Sequence, residues 1–222
     1  LDGMLTDYPG ATLLQAKGSR LRLVMETDGS LSLIASKKSN VRNPDDLKGK
    51  NISVSGNTFV EYATDEVMKR ACLHPGEVNK PEINNIPLRL MMLEDGQISA
   101  SFLPGPATAI ALNNGHTALL NTRQMGLRCT GIVFSEKAIT EKDEEIRRFI
   151  TGYNLGVKYL QTRPQNEWTE ILVKEFGLQE KAAMQIDLPD YRPATRPSYH
   201  DIEKIIAWLK SKGAIPDYYP GE

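Results

Sequence analysis

The sequence predicts an α/β fold whose strands run mostly parallel, with helices closing the chain towards its C-terminus. Three observations predict it. Short apolar runs alternate with helix-like segments from Leu1 to Asn121, the connections between them are short, and most of the chain after Ser135 follows helical spacing. At 222 residues the chain has room for one large domain or two small ones.

Leu1 to Leu5 reads as a strand, Thr6 to Gly10 as a turn, and Ala11 to Lys17 as a helix stopped by Gly18. Arg20 to Thr27 alternates Leu21, Leu23 and Met25 with polar residues, and Leu31 to Ser36 follows the turn Asp28-Gly29 as another strand. Asn43 to Asp46 opens a single helical turn, and Asn51 to Ser55 is a short strand. Thr58 to Glu61 has the form of a capping box, with Thr58 accepting from a backbone N–H and Glu61 reaching back. Phe59, Ala63, Val67 and Ala71 then mark the buried face of a helix ending near Leu73. Helices over Pro87 to Gly96 and Pro106 to Leu112 alternate with strands over Ile98 to Leu103 and Ala118 to Asn121. Thr130 to Ser135 is the last strand. Helices follow over Glu141 to Thr162, Glu167 to Phe176 and Tyr199 to Lys212, the last with Lys210 and Lys212 placed to suit its carboxyl end.

A net charge of −1 supplies no field for a polyanion, so nucleic acid is not an expected partner. No apolar run reaches the roughly 18 residues of a membrane span, and no basic leader with an apolar core opens the chain, which reads as soluble. Cys72 and Cys129 form no Cys-x-x-Cys pair and have no histidine cluster beside them, so neither a metal nor a cofactor is expected, and both read as buried small hydrophobes. His74, His116 and His200 fall in turns or at helix ends, where solvated surface positions are the default.

Several segments, in order, carry a resemblance: Asp2 to Ala11, Ile34 to Lys38, Asp45 to Lys50 followed by Ile52 to Ser55, and the capped helix with Glu61-Tyr62. Together they resemble the type II periplasmic solute-binding proteins of ABC importers, in the group of sulfonate, taurine and thiamine-pyrimidine-precursor receptors. The resemblance implies a two-lobed periplasmic-binding-protein-like fold acting as a monomer, a small-molecule solute, a membrane permease as partner, and a periplasmic or extracytoplasmic place with or without a lipid anchor. It also implies that two βα units normally precede Leu1 in lobe one, and that Asp217 to Glu222 approaches a further helix. Lobe one is expected at 1–38 plus 131–222 and lobe two at 39–130, with crossings near Ser36 to Ser39 and Thr130 to Ser135.

In an α/β sheet of this kind ligands bind beyond the carboxyl ends of strands, beside helix N-termini that present unpaired N–H groups. Ser55, Gly56, Asn57 and Thr58 occupy such a place, as an anion-accepting turn or as an ordinary cap. Asp7 and Tyr8 follow another strand, where Asp7 would accept from ligand N–H groups and Tyr8 would stack, or the two would be a turn residue and a packed ring. Asp28 ends the next strand, and Pro104-Gly105 lies opposite in the other lobe. Tyr62 lines the cleft or packs beneath it. Arg89, Arg128, Arg192 and Arg196 are the cations within reach, although the predominance of Asp7, Asp28 and Glu61 leans towards a cationic or amine-bearing solute. No nucleophile-base pair or metal spacing is visible, so a non-enzymatic receptor is the expectation and no catalytic residue is assigned. An enzyme of the same fold, such as one of the menaquinone pathway, is the rival, and a ligand-sensing domain is a third reading.

Overall fold

The computed structural model describes residues 1–184, 186 and 190–220. Strand β1 (Gly3–Asp7) runs into helix α1 (Tyr8–Ala16), followed by β2 (Leu21–Thr27) and β3 (Leu31–Ala35). A 3-10 turn at Pro44–Leu47 precedes the two-residue β4 (Ile52–Ser53) and α2 (Phe59–Arg70). Then come α3 (Ile86–Asp95), β5 (Ala100–Pro104), α4 (Gly105–Asn113), β6 (Thr117–Asn121) and β7 (Thr130–Ser135). The C-terminal part holds α5 (Glu136–Glu141), α6 (Asp143–Thr162), α7 (Gln165–Phe176), α8 (Glu180–Met184) and α9 (Tyr199–Ser211). The approach to a further helix expected over Asp217 to Glu222 runs outside the described residues.

The strands form two sheets, ordered β1-β7-β2 and β4-β5-β3-β6. The expectation of mostly parallel pairing is corrected, because among the described strands β4 and β5 alone pair in parallel and the other four pairings are antiparallel. The reason lies in the strands next to the crossings. β1 and β2 both run against β7, and β5 and β6 both run against β3, so the strands of each βα series share one direction. β7 and β3 insert between them and turn each contact antiparallel. No rule of spacing shows such an insertion, because it joins strands that are distant in sequence.

The first crossing also moves. β3 belongs to the sheet of β4, β5 and β6, so we place the crossing at residues 28–30 in place of Ser36 to Ser39, and the return at residues 122–129. The C-terminal run does not stay on one side either: α8 packs on α4 of the second sheet, whereas α9 returns to α1.

One core connects the sheets. Tyr8 and Cys129 on the first side meet Leu33 and Phe102 on the second through Phe59 and Tyr62 of α2 and Ile205 and Leu209 of α9. Full burial of each large apolar side chain contributes about 1.5–3 kcal/mol, so α2 is held from both sides. A second core joins α3 and α4 to the opposite face of the second sheet through Leu93, Ile98, Leu103 and Ala107. Met25, Ile132, Phe134 and Ile146 seat α6 on the first sheet.

Candidate functional site

Register places the chemistry. Asp7, Thr130 and Thr27 are row partners across the first sheet, so the carboxyl ends of β1 and β2 and the start of β7 share one edge. In the second sheet Leu31 faces Pro104 and Ser32 faces Asn121, which brings the carboxyl ends of β5 and β6 beside the start of β3. The two edges meet at the crossings. Within the first sheet Thr27 Oγ1 donates to Thr130 Oγ1 at 2.9 Å, and within the second Leu31 N donates to Thr122 Oγ1 at 3.0 Å.

Asp7 bridges the sheets. Its Oδ1 accepts from Gly10 N at 2.7 Å, capping α1, and its Oδ2 accepts from Phe59 N at 2.8 Å in the first turn of α2. Burial pushes the Asp7 carboxyl above its usual range, against the opposing effect of these two backbone bonds.

Thr58 caps α2 as expected, its Oγ1 accepting from Val60 N at 3.2 Å and donating to Ser55 O at 2.8 Å. The capping box is not reciprocal: Glu61 Oε2 accepts from Asn57 N at 2.8 Å instead of from Thr58 N. Asn57 sits in the left-handed region at φ 55°, which turns its amide towards Glu61. Burial disfavours the Glu61 anion, but bonds from Lys212 and Asn57 N outweigh it and hold the carboxyl below its usual range. A Cβ at Gly56 would lie 2.9 Å from Glu82 Oε1, the end of an exposed side chain that is free to turn aside. Ser55 Oγ donates to Asn84 Oδ1 at 2.7 Å. Glu82 and Asn84 were not singled out in the sequence, where nothing but their position before a proline-started helix marks them. Replacing Thr58 by Ala is expected to cost about 1 kcal/mol in urea unfolding, the value of a lost N-cap. A loss below a few tenths would mean that Asp7 and Glu61 alone hold this helix start.

Two of the expected site residues are core. Tyr8 is 1% exposed and packs against β7, so it does not stack on a ligand in this arrangement; it is the first residue of α1, and its ring belongs to the core shared with Cys129 and Ile205. Its hydroxyl has no hydrogen-bond partner among the described residues. Tyr8→Phe removes that unsatisfied oxygen and is expected to stabilise the fold by up to about 1 kcal/mol; a clear loss in thermal melts would mean that the hydroxyl has a partner in solution. Tyr62 packs beneath the site, edge-on to Trp208 at 5.4 Å between centroids.

Asp28 is buried in an ion-pair network. Its carboxylate accepts from Arg128 Nη1 at 2.7 Å, from Arg192 Nε at 3.0 Å and from Arg192 N at 2.8 Å, while Arg192 also pairs with buried Glu26. Of the other two arginines, Arg196 is exposed. Arg89 is buried with Nη1 on Phe102 O at 2.9 Å, and burial lowers its pKa. Pro104 leads into α4 without a side-chain cap, and Gly105 borders a cavity of about 260 Å³ with Ser30, Ser32 and Asn121.

A larger concavity of about 740 Å³ lies along the carboxyl half of α2. Met68, Leu73, Val78 and Trp208 line it, and its charged rim is paired internally through Lys80 with Asp65 at 2.7 Å. Its lining includes Lys80 and Lys212, which reach Glu61 in the first turn of α2. His116 is buried, against the surface default, with Nδ1 accepting from Lys37 N at 3.1 Å beyond the carboxyl end of β3, the opposite end of that sheet. Cys129 is buried as expected and burial raises its pKa, whereas Cys72, just past α2, is exposed. Among the described residues no three His, Cys, Asp or Glu side chains are grouped as a metal site.

No curated protein sequence matches this chain. Solved structures do. The alkanesulfonate-binding protein SsuA from Xanthomonas axonopodis pv. citri, bound to MOPS, is similar at TM-score 0.81 and 18% identity over 98% of this chain and 77% of that one. The periplasmic aliphatic sulphonate binding protein SsuA from Escherichia coli is similar at TM-score 0.80 and 14% identity over 98% and 72%. The desulfurization enzyme DSZB is similar at TM-score 0.69 and 12% identity over 96% and 79%. At these identities the likeness is one of fold, and it bears out the two-lobed periplasmic-binding-protein architecture. Sequence adds the lineage: the pattern described as NMT1/THI5 like matches residues 6–167, from the first strand into α7, and the chain therefore belongs to the NMT1/THI5-like family.

Proposed function

We propose that this protein is the solute-binding component of an ABC-type importer, holding a small polar solute reversibly between its two sheets, outside the cytoplasm, and passing it to a membrane permease. One observation carries the reading: the chain crosses between the two sheets at the strand ends that carry Asp7, Thr27 and Leu31, and the Asp7 bond from Phe59 N ties β1 to α2 there. Binding at such an edge uses helix starts and loops that the sheets hold in place. The sulfonate-binding proteins of the same fold support it. Asp7, Ser55 to Thr58 and Gly105 are the proposed contacts, with Asp28 holding the crossings behind them.

The likeness to DSZB keeps an enzyme as the second reading. Mass spectrometry of the natively purified protein separates the two. A copurified small molecule that exchanges unchanged with added solute supports the receptor. Conversion of a sulfonate, or of any added candidate, at catalytic protein concentration overturns it.

A further inference from the structure

The geometry points to Asp7 as the residue that sets the charge selectivity of the site: its carboxylate fills the position that an anionic group of a solute would take at the helix starts. The inference rests on the strand-end site proposed above and narrows the solute class to one that is neutral or positive, with an N–H donor, where it faces Asp7.

A helix start presents unpaired N–H groups and the positive end of the helix dipole, and so attracts anions. Here two helix starts from different sheets converge, and the protein supplies the anion itself. Gly10 N of α1 and Phe59 N of α2 both donate to Asp7, at 2.7 and 2.8 Å. Two neighbouring amides are also taken, Val60 N by Thr58 Oγ1 and Asn57 N by Glu61 Oε2. Glu82 stands against Gly56 on the outer side. The cations nearest this start, Lys80 and Lys212, are bound to Glu61. A second anion would therefore meet carboxylates where it needs donors. An incoming N–H group would not, because each oxygen of a carboxylate accepts about two hydrogen bonds and those of Asp7 have each accepted one from the backbone.

The test follows the amide resonances of Gly10 and Phe59 during titration with methanesulfonate and with sulfate. The wild-type protein is expected to show no saturable shift at either amide. Asp7→Ser keeps a cap for α1 but is too short to reach Phe59, and is expected to show a saturable methanesulfonate shift centred on Phe59 where wild type shows none. A saturable wild-type shift at Phe59 overturns the inference whether or not the variant folds, and so does a folded variant that shows no saturable shift there. The outcomes are separable from those of the receptor reading. A wild type that binds methanesulfonate at Phe59 retains a receptor and loses the role of Asp7, whereas a protein with no exchangeable solute but an anion-binding Asp7→Ser variant does the reverse.

Discussion

Asp28→Ala is expected to lower the unfolding free energy by about 2–4 kcal/mol and the melting temperature by roughly 5–15 °C. The Asp28 side chain is 6% exposed and ties together three segments: its own turn at the first crossing, Arg128 before β7, and Arg192 on the strap leading to α9. Removing one member of a buried charge network costs about 3–5 kcal/mol when the partners are left buried. The Arg128 and Arg192 side chains are 43% and 39% exposed, so both are free to turn towards water and the cost falls below that limit. Glu26 still holds Arg192 and accepts from Thr195 Oγ1 at 3.2 Å, which limits the damage further. Asp28→Asn keeps an acceptor and should lose about half as much. Urea and thermal unfolding at low and high salt measure this. An alanine variant within about 0.5 kcal/mol of wild type would show that the crossings are held by packing alone.

Gly131→Val should destabilise by about 3 kcal/mol or prevent folding. Gly131 lies on β7, the central strand of the first sheet, where a Cβ would meet Met25 O and Leu23 Cδ1 at 2.7 Å and Tyr8 Cε1 at 3.2 Å. The Met25 carbonyl belongs to the paired strand and moves only with its ladder, and Tyr8 is locked in the core. Gly105 is the matched control: nothing lies within 4 Å of a Cβ there, so Gly105→Ala is expected to stay within about 0.5 kcal/mol of wild type although it borders the proposed site. Equal losses in the two variants, read by denaturant midpoint, would contradict the packing argument.

Much of the local structure was legible. The spacing of Phe59, Ala63 and Val67 gave the buried face of α2, and Ile146, Tyr153 and Val157 gave that of α6. Thr58 was readable as a cap because its bond to Val60 N spans two residues. Helices α5 and α8 were missed, being six and five residues long, too short for a periodic face to show. Cys72 and His116 were misjudged in opposite directions, the first exposed just past α2 and the second buried beside Lys37 and Glu94.

The sequence by itself determined where the chain bends, which residues begin its helices and which faces are apolar, because those depend on groups within about four positions of one another. Tertiary structure alone decided that β3 and β7 run against their neighbours, that Tyr8 is core, and that Asp28 is matched by Arg128 and Arg192, a hundred or more positions away. The same holds for the bond from Phe59 N to Asp7, which spans 52 positions. Such pairings are selected by the collapse of the whole chain, when burying a polar group leaves only the partners that the fold has brought within hydrogen-bonding distance.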